Sequence, residues 1–414
     1  MTSPGTLIRI KTFLFTTFLL IAATVYAQKP VLSPLSEISV LTVGNGDDLY
    51  SKFGHSAIRV HDPSVNFDIV YNYGLFDFDD PLFYTKFTKG QLDYRLGKQR
   101  FKNFVFGYEL ENRSVTEQVL KLDNAQTKAL FDFLENNYKP ENRYYRYDFL
   151  FDNCATRIPD ALKSVLGEAW QLRYGHIREP ISFRGMINEK LEVNRWFTFG
   201  INTALGAVID EEVTPWERLF LPAYLFHQLP NTTLWGKPLV SKEIELVRPR
   251  PTATTTLFFM TPMFWFGLLF LASCWITYRN ISNGSRSRWL DFLLALASGV
   301  TGCILFFLWF LSDHQATKMN FNTFWAFGPN VIIAFVMLKR TLPKWIRTYT
   351  WFLIALLLSV LLIWVFGVQQ FSPIVLFPIG TLLLRYLFLI RYTAPGKDRN
   401  ASEIDQSPNR PAIV

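Results

Sequence analysis

Cysteine is scarce in this chain, with three in 414 residues. Cys274 and Cys303 fall in long apolar runs, where a thiol usually acts as a small apolar side chain. Cys154 is then alone in the polar part of the chain, which excludes a disulfide framework there. Histidine is nearly as sparse, at five residues. No His, Cys or Asp cluster has metal-ligand spacing, so no metal or other cofactor is expected. The net charge of +8 is no nucleic-acid signature either. Much of the excess sits in short loops between apolar runs, where membrane topology accounts for it.

What is present divides the chain into unlike parts. Residues 1–27 have a basic start at Arg9 and Lys11, an apolar core from Thr12 to Val25, and Val25-Tyr26-Ala27 as a cleavage site. That is the pattern of a signal peptide. Residues 28–250 are mixed polar and aromatic, enough for one good core. Residues 251–395 are apolar in long runs, and 396–414 form a polar tail. About five spans are expected, near 255–277, 289–311, 322–338, 349–368 and 372–390, each near the ~20 residues that cross a bilayer. Arg279, Arg286 and Arg288 follow the first span, Lys339, Arg340, Lys344 and Arg347 the third, and Arg391, Lys397 and Arg399 the fifth. Basic loops stay cytoplasmic, which places the soluble domain outside and the C-terminus inside.

Two stretches of the soluble domain carry chemistry. Residues 53–74, from Phe53-Gly54-His55-Ser56 to Tyr71-Asn72-Tyr73-Gly74, read as a β-hairpin about an Asp-Pro-Ser turn. A turn centred between Pro63 and Ser64 sets His55 opposite Asn72 on one face of the sheet. In the second stretch, Asn153 is a good N-cap and Ala155 onward is helical through Leu166, with Pro159 in the first turn. Cys154 then sits at a helix N-terminus, which favours a thiolate. Together these are the parts of a cysteine–histidine site. Cys154 is the nucleophile, His55 its base, and Asn72, or failing that Asp68, orients the ring. His61, His176 and His227 have no comparable setting.

Two further segments are less specific. Residues 197–207 are apolar and too short to span, and read as a buried core strand before an interfacial segment. The loop from Ser312 through His314 to Asn330 lies on the same side as Cys154. It reads first as solvated loop, and second as a cradle for a substrate head group.

The order Gly-His-Ser-Ala-Ile on a strand, then Asn-Cys-Ala at a helix start, resembles the permuted branch of the NlpC-type papain-like superfamily, which includes the lecithin:retinol acyltransferase-like enzymes. Phe53-Gly54-His55-Ser56, Tyr71-Asn72-Tyr73-Gly74, Phe87-Thr88-Lys89-Gly90 and Phe151-Asp152-Asn153-Cys154-Ala155-Thr156-Arg157 more closely resemble the Lnb-type lipoprotein N-acyltransferases. That resemblance implies an α+β, permuted papain-like periplasmic domain followed by an all-α transmembrane bundle in the inner membrane. It also implies acyl transfer from a membrane phospholipid, through a Cys154 thioester, to the N-terminal amine of a diacylated lipoprotein. His55 and Cys154 map onto the family's catalytic pair, and Asn72 onto its third residue.

Two other functions fit the same residues. A hydrolase of cell-wall peptide or phospholipid would use the same pair, because water exclusion alone separates transfer from hydrolysis. A non-catalytic envelope protein would keep Cys154 as a structural residue. The alternation of basic loops predicts that a cytoplasmic reporter fused after Val414 is active and a periplasmic one silent. The reverse result would move Cys154 to the wrong side of the membrane.

Overall fold

The computed structural model describes residues 30–48, 51–77, 79–177, 179–251 and 257–394. The signal peptide expected at 1–27 and the tail at 396–414 lie outside the described residues. An α+β domain with an antiparallel sheet comes first and a helical part follows, as expected from the sequence.

β1 (Glu37–Val43), β2 (His55–Asp62), β3 (Phe67–Leu75), β4 (Asp93–Arg100), β5 (Val115–Leu120) and β6 (Tyr144–Arg146) join a late strand in one seven-stranded sheet. α1 (Phe83–Lys89), α2 (Phe101–Leu110) and α3 (Asn124–Tyr138) connect them, and α4 (Arg157–Leu166) follows β6. A three-stranded sheet is built from β7 (Trp170–Leu172), β8 (Thr232–Leu234) and β9 (Lys237–Pro238). Between β7 and β8 lie α5 (Phe183–Glu189), α6 (Trp196–Ala204) and α7 (Pro222–Gln228); β10 (Val240–Val247) then closes the large sheet in the order β10-β5-β1-β2-β3-β4-β6.

Alternation along the central strands gives the sheet two buried faces. Val40, Ile58, Val60 and Tyr71 pack on α3 and α4 through Leu130, Leu134, Ile158 and Leu162. Leu41, Ala57 and Val70 pack on Phe104 of α2. A capping box between Asp123 and Gln126 starts α3. α4 buries Ile158, Ala161, Leu162 and Leu166, one apolar stripe at helical spacing.

The hairpin forms, with a register two residues away from the expected one. Arg59 pairs with Val70 and Ile58 with Tyr71. The loop occupies 63–66, and Asn66 adopts the left-handed conformation at its end, so the turn centres one residue later than expected. A two-residue shift keeps every side chain on its face. Asn72 thus becomes a diagonal neighbour of His55 rather than its direct partner.

The C-terminal part contains α8 (Pro262–Ser282), α9 (Arg288–Phe310), α10 (Asn330–Met337), α11 (Trp345–Val365) and α12 (Leu376–Tyr392). Three segments, 288–310, 345–365 and 373–392, are helical, long and apolar enough to cross a membrane. The third expected span, 322–338, is not one helix. A 3-10 turn at Phe321–Phe324 and an irregular stretch through Gly328 and Pro329 precede the eight-residue α10, which is about 12 Å long. Arg385 of α12 bonds Asp291 of α9, and Thr277 and Asn280 of α8, tying three helices together.

The apolar segment at 197–207 is a helix, not the core strand expected. α6 lies on the outer end of the bundle. Phe199 stacks near Phe266 of α8, and the Trp196 indole donates to the Met260 carbonyl. Thr198 and Asn202, four residues apart, are buried on the side toward α5, where Thr198 donates to the Glu192 carbonyl and Asn202 to the Asn188 side chain. Arg184 of α5 holds the arrangement from behind, through Asp210, Asn202 and the carbonyls of Leu205 and Gly206. Arg184→Leu would leave the buried Asp210 carboxylate unpaired, at about 3–5 kcal/mol. The full-length variant is expected to lose thermal stability in detergent and to become protease-sensitive near residues 195–210; unchanged melting would show that this seam carries no stability.

Candidate functional site

The site forms where the start of β2 and the turn ahead of α4 meet a bulge in β3. Gly54 enters β2 at φ +82°, and a Cβ there would meet the Val43 carbonyl oxygen at 2.7 Å. Only glycine brings the chain in at that angle, and His55 follows it. On β3 the pairing with β4 slips between Asn72 and Leu75, with Gly74 at φ +90° in the bulge. That bend brings Gly74 against Cys154, whose Cβ lies 3.6 Å from where a Gly74 Cβ would stand.

The cysteine is held by its neighbours in sequence. Asn153 is buried, and its side-chain oxygen accepts from the Ala155 and Thr156 backbone N–H groups. Its amide donates to the Phe149 and Phe220 carbonyls. α4 begins at Arg157, two residues later than expected, with Thr156 at the N-cap. Asn153 therefore caps the turn ahead of the helix, and Cys154 stands in that turn. Pro159 falls in the first turn of α4, where its missing N–H is no loss. Arg157 pairs with Asp152 and covers the Tyr145 ring at 4.2 Å.

The structure brings all three expected site residues together. His55 Nε2 and Asn72 Oδ1 are 2.5 Å apart, so the ring donates to the amide oxygen and turns Nδ1 toward Cys154, with which His55 shares a hydrogen bond. Burial alone would disfavour charge on either group. It opposes the His55 imidazolium, but the Cys154 thiolate and the Asn72 oxygen outweigh it and raise the ring's pKa, against the nearby Arg113. Burial likewise raises the Cys154 thiol. The His55 charge and hydrogen bond, with the Ser56 and Cys154 N–H groups, reverse that and bring it below its ordinary value. The chemistry available is an ion pair ready for nucleophilic attack.

Asp68 is not at the site. Its carboxylate takes both Arg59 nitrogens, at 2.7 and 2.9 Å, on the far part of the hairpin. His61 lies beyond it, at the end of β2 away from His55. Three tyrosines that the sequence did not single out do line the site. Tyr145 and Tyr147 lie about 4.0 Å from the Gly74 Cβ position, and Tyr94 stacks on Tyr147 at 4.1 Å. The run Tyr144-Tyr145-Arg146-Tyr147 just before the cysteine was visible in the sequence, but no spacing rule marks such a run.

From Tyr147 an aromatic series leads to the bundle. Tyr94 contacts Phe76, Phe76 contacts Phe83, and Phe83 stacks on Phe87. Phe87 meets His314, whose Nε2 lies 2.9 Å from the Phe87 carbonyl. The Asp313 N–H donates to the Lys89 carbonyl, and its carboxylate accepts from Gln91. The loop expected to be solvated, or to cradle a head group, keeps Asp313 and Gln315 exposed and also grips the end of α1.

A papain-like pairing of thiol, imidazole and amide, fastened to a membrane bundle, defines a class of envelope protein. A family model described as the Lnb N-terminal periplasmic domain matches residues 32–188, and one described as the Lnb transmembrane domain matches 253–396. The chain belongs to the Lnb-type family, and is thus a membrane-associated protein of lipoprotein processing with its soluble domain in the periplasm and its helices in the inner membrane. No curated protein and no solved structure gave a match.

The pKa directions make a pH prediction. Thiolate is present above the lowered Cys154 value, and imidazolium below the raised His55 value, so the ion pair fills the window between. Alkylation of Cys154 against pH should have its midpoint below the ordinary thiol value of about 8.5. His55→Ala should move that midpoint upward. A wild-type midpoint at or above 8.5 would leave Cys154 as a structural thiol.

Proposed function

We propose that this protein is a cysteine-dependent lipoprotein N-acyltransferase. The observation that carries the reading is the buried Cys154–His55–Asn72 arrangement, joined by packed side chains to the outer face of a membrane bundle. Both substrates of such a transfer are lipids of that leaflet. The donor is a membrane phospholipid, and the acceptor a diacylated lipoprotein with a free α-amine. The proposal includes cleavage of 1–27, five crossings within 251–395 with 322–338 as a broken third segment, and a cytoplasmic tail at 396–414.

The reaction runs in two halves. Cys154 Sγ attacks the donor's ester carbonyl, and the tetrahedral adduct collapses as the C–O bond breaks. The His55 imidazolium gives its proton to the departing alkoxide, leaving a thioester and a neutral ring. The acceptor amine then attacks the thioester carbonyl. His55 takes the amine proton, the C–S bond breaks, and the thiolate–imidazolium pair returns beside a new amide. Asn72 holds Nδ1 toward sulfur through both halves.

The test uses purified full-length protein and radiolabelled phospholipid. Label should appear on the protein, be released by hydroxylamine, and move to an added diacylated lipopeptide as a hydroxylamine-resistant amide. Cys154→Ala should form no acyl-enzyme. His55→Ala should form it slower by about 10²–10⁴-fold, and Asn72→Ala should be milder. Discharge to water alone would make the protein a phospholipase, and full function of Cys154→Ala in cells would end the cysteine mechanism.

A further inference from the structure

The proposed reaction builds negative charge on the acyl oxygen when sulfur attacks, and His55 and Asn72 are both committed elsewhere. The Ser56 and Cys154 N–H groups that serve the thiolate face the same centre, and a side-chain donor beside them would add to the stabilisation of the oxyanion.

Among the described residues, buried polar atoms without a partner near the site include Ser56 Oγ and the Tyr145 hydroxyl, and the phenol is the one carried on a side chain that lines the Gly74 bulge beside Cys154. The Tyr145 hydroxyl is buried and has no hydrogen-bond partner among the described residues. Its ring is fixed on both sides. Arg157 covers one face at 4.2 Å, and Tyr73 meets it edge-on at 6.3 Å between centroids. The backbone is fixed too, because Tyr145 pairs with Tyr94 across β6 and β4. A buried hydroxyl left without a partner is destabilising, so its persistence here points to a partner that arrives with substrate.

The hydroxyl also stands beside the nucleophile. A Cβ built on Gly74 would meet Cys154 Cβ at 3.6 Å, Tyr145 Oη at 4.0 Å and Tyr147 Cε2 at 4.0 Å. Tyr145 and Cys154 thus flank one point of the β3 bulge, and the glycine at φ +90° puts no side chain there.

We infer that Tyr145 is a further catalytic residue, its hydroxyl donating a hydrogen bond to the acyl oxygen of the Cys154 tetrahedral adduct. The inference rests on Cys154 being the nucleophile, as proposed above. In the step itself the Sγ–C bond forms while the carbonyl π pair moves onto oxygen. The Tyr145 O–H donates to that oxygen without surrendering its proton, and burial, which pushes the phenol well above its ordinary pKa, keeps the proton in place. When the C=O bond re-forms and the leaving group departs, the donation weakens.

Tyr145→Phe removes one oxygen and keeps the ring under Arg157, so it isolates the donor. Three measurements on the full-length protein separate its roles. Single-turnover acylation by labelled phospholipid should fall on the order of 10²-fold. Inhibition by a long-chain fatty aldehyde, which adds to Cys154 as a thiohemiacetal, should weaken in parallel. Alkylation of Cys154 by iodoacetamide, read by peptide mass spectrometry, should be unchanged, since that displacement forms no oxyanion. Loss of alkylation along with the other two would mean that Tyr145 merely shapes the site, and would overturn the inference; so would unchanged acylation and aldehyde binding. If Cys154→Ala still makes acylated lipopeptide, the transferase reading through Cys154 fails, while the aldehyde and alkylation arms still decide whether Tyr145 serves an oxyanion.

Discussion

Ionising a thiol inside a protein core is unfavourable, and the soluble domain is organised around making one thiolate tolerable. Cys154 is a member of the main core, packed with Tyr71, Tyr73 and Ile158. Desolvation there works against its charge, and so it does for His55. Each is charged only because the other is, which makes the pair one titrating unit rather than two sites. Two backbone features bring them within reach. His55 and Asn72 belong to the sheet face that packs on α2, Cys154 to the face that packs on α4. They meet because Gly54 and the Gly74 bulge bend the strand ends around the edge between the two cores.

A second constraint is height above the membrane. Under the proposed reaction a lipid substrate presents its ester at a fixed depth, so the thiol must be held at a matching one. Two contacts set it. α1 is gripped at its C-terminal end by Asp313 and His314, and α6 is seated on α8 and the loop at 316–322. α1 also leads through Phe83, Phe76 and Tyr94 to Tyr147 beside the cysteine. The Phe87-Thr88-Lys89-Gly90 motif thus has a mechanical role: its Phe87 and Lys89 carry the carbonyls that His314 and Asp313 bind.

Much of this was legible in the residues, and the failures have physical causes. Cys154, His55 and Asn72 were found because each has a local signal: an N-terminal turn, a glycine before a strand, and hairpin symmetry. The hairpin register was two off because the Asn66 left-handed residue lengthens the turn, yet period-two geometry preserved the face and with it the pairing. The 197–207 segment was misread because its apolar content matches a core strand as well as a helix. The spacing of Thr198 and Asn202, at i and i+4, was the available sign of a helix with one polar face. Tyr145 carried no such sign. Its value lies in an unpaired hydroxyl, which depends on how β6 pairs with β4 and on nothing local.

The broken third segment explains how the bundle presents a platform at all. In a bilayer core, backbone that leaves helical geometry must find partners within the protein. Here amide side chains supply some of them: Gln369 accepts from the Phe321 N–H at 2.8 Å and Asn320 from the Asn322 N–H at 3.0 Å. Asn322 also accepts from the Trp325 indole, and Asn330 bridges Ser298 of α9 and Tyr349 of α11. Gly302 lets the irregular stretch lie directly on α9, where a Cβ would strike the backbone of Ala326 and Gly328. The same run of asparagines reaches outward. Asn320 donates to the Thr203 and Ala204 carbonyls at the end of α6, at 2.8 and 2.9 Å. Asn322, inside the segment, donates to the Thr203 carbonyl at 3.2 Å, and a continuous helix through 322–338 would turn that amide about its axis. The interruption is therefore part of what joins the bundle to the domain that carries Cys154.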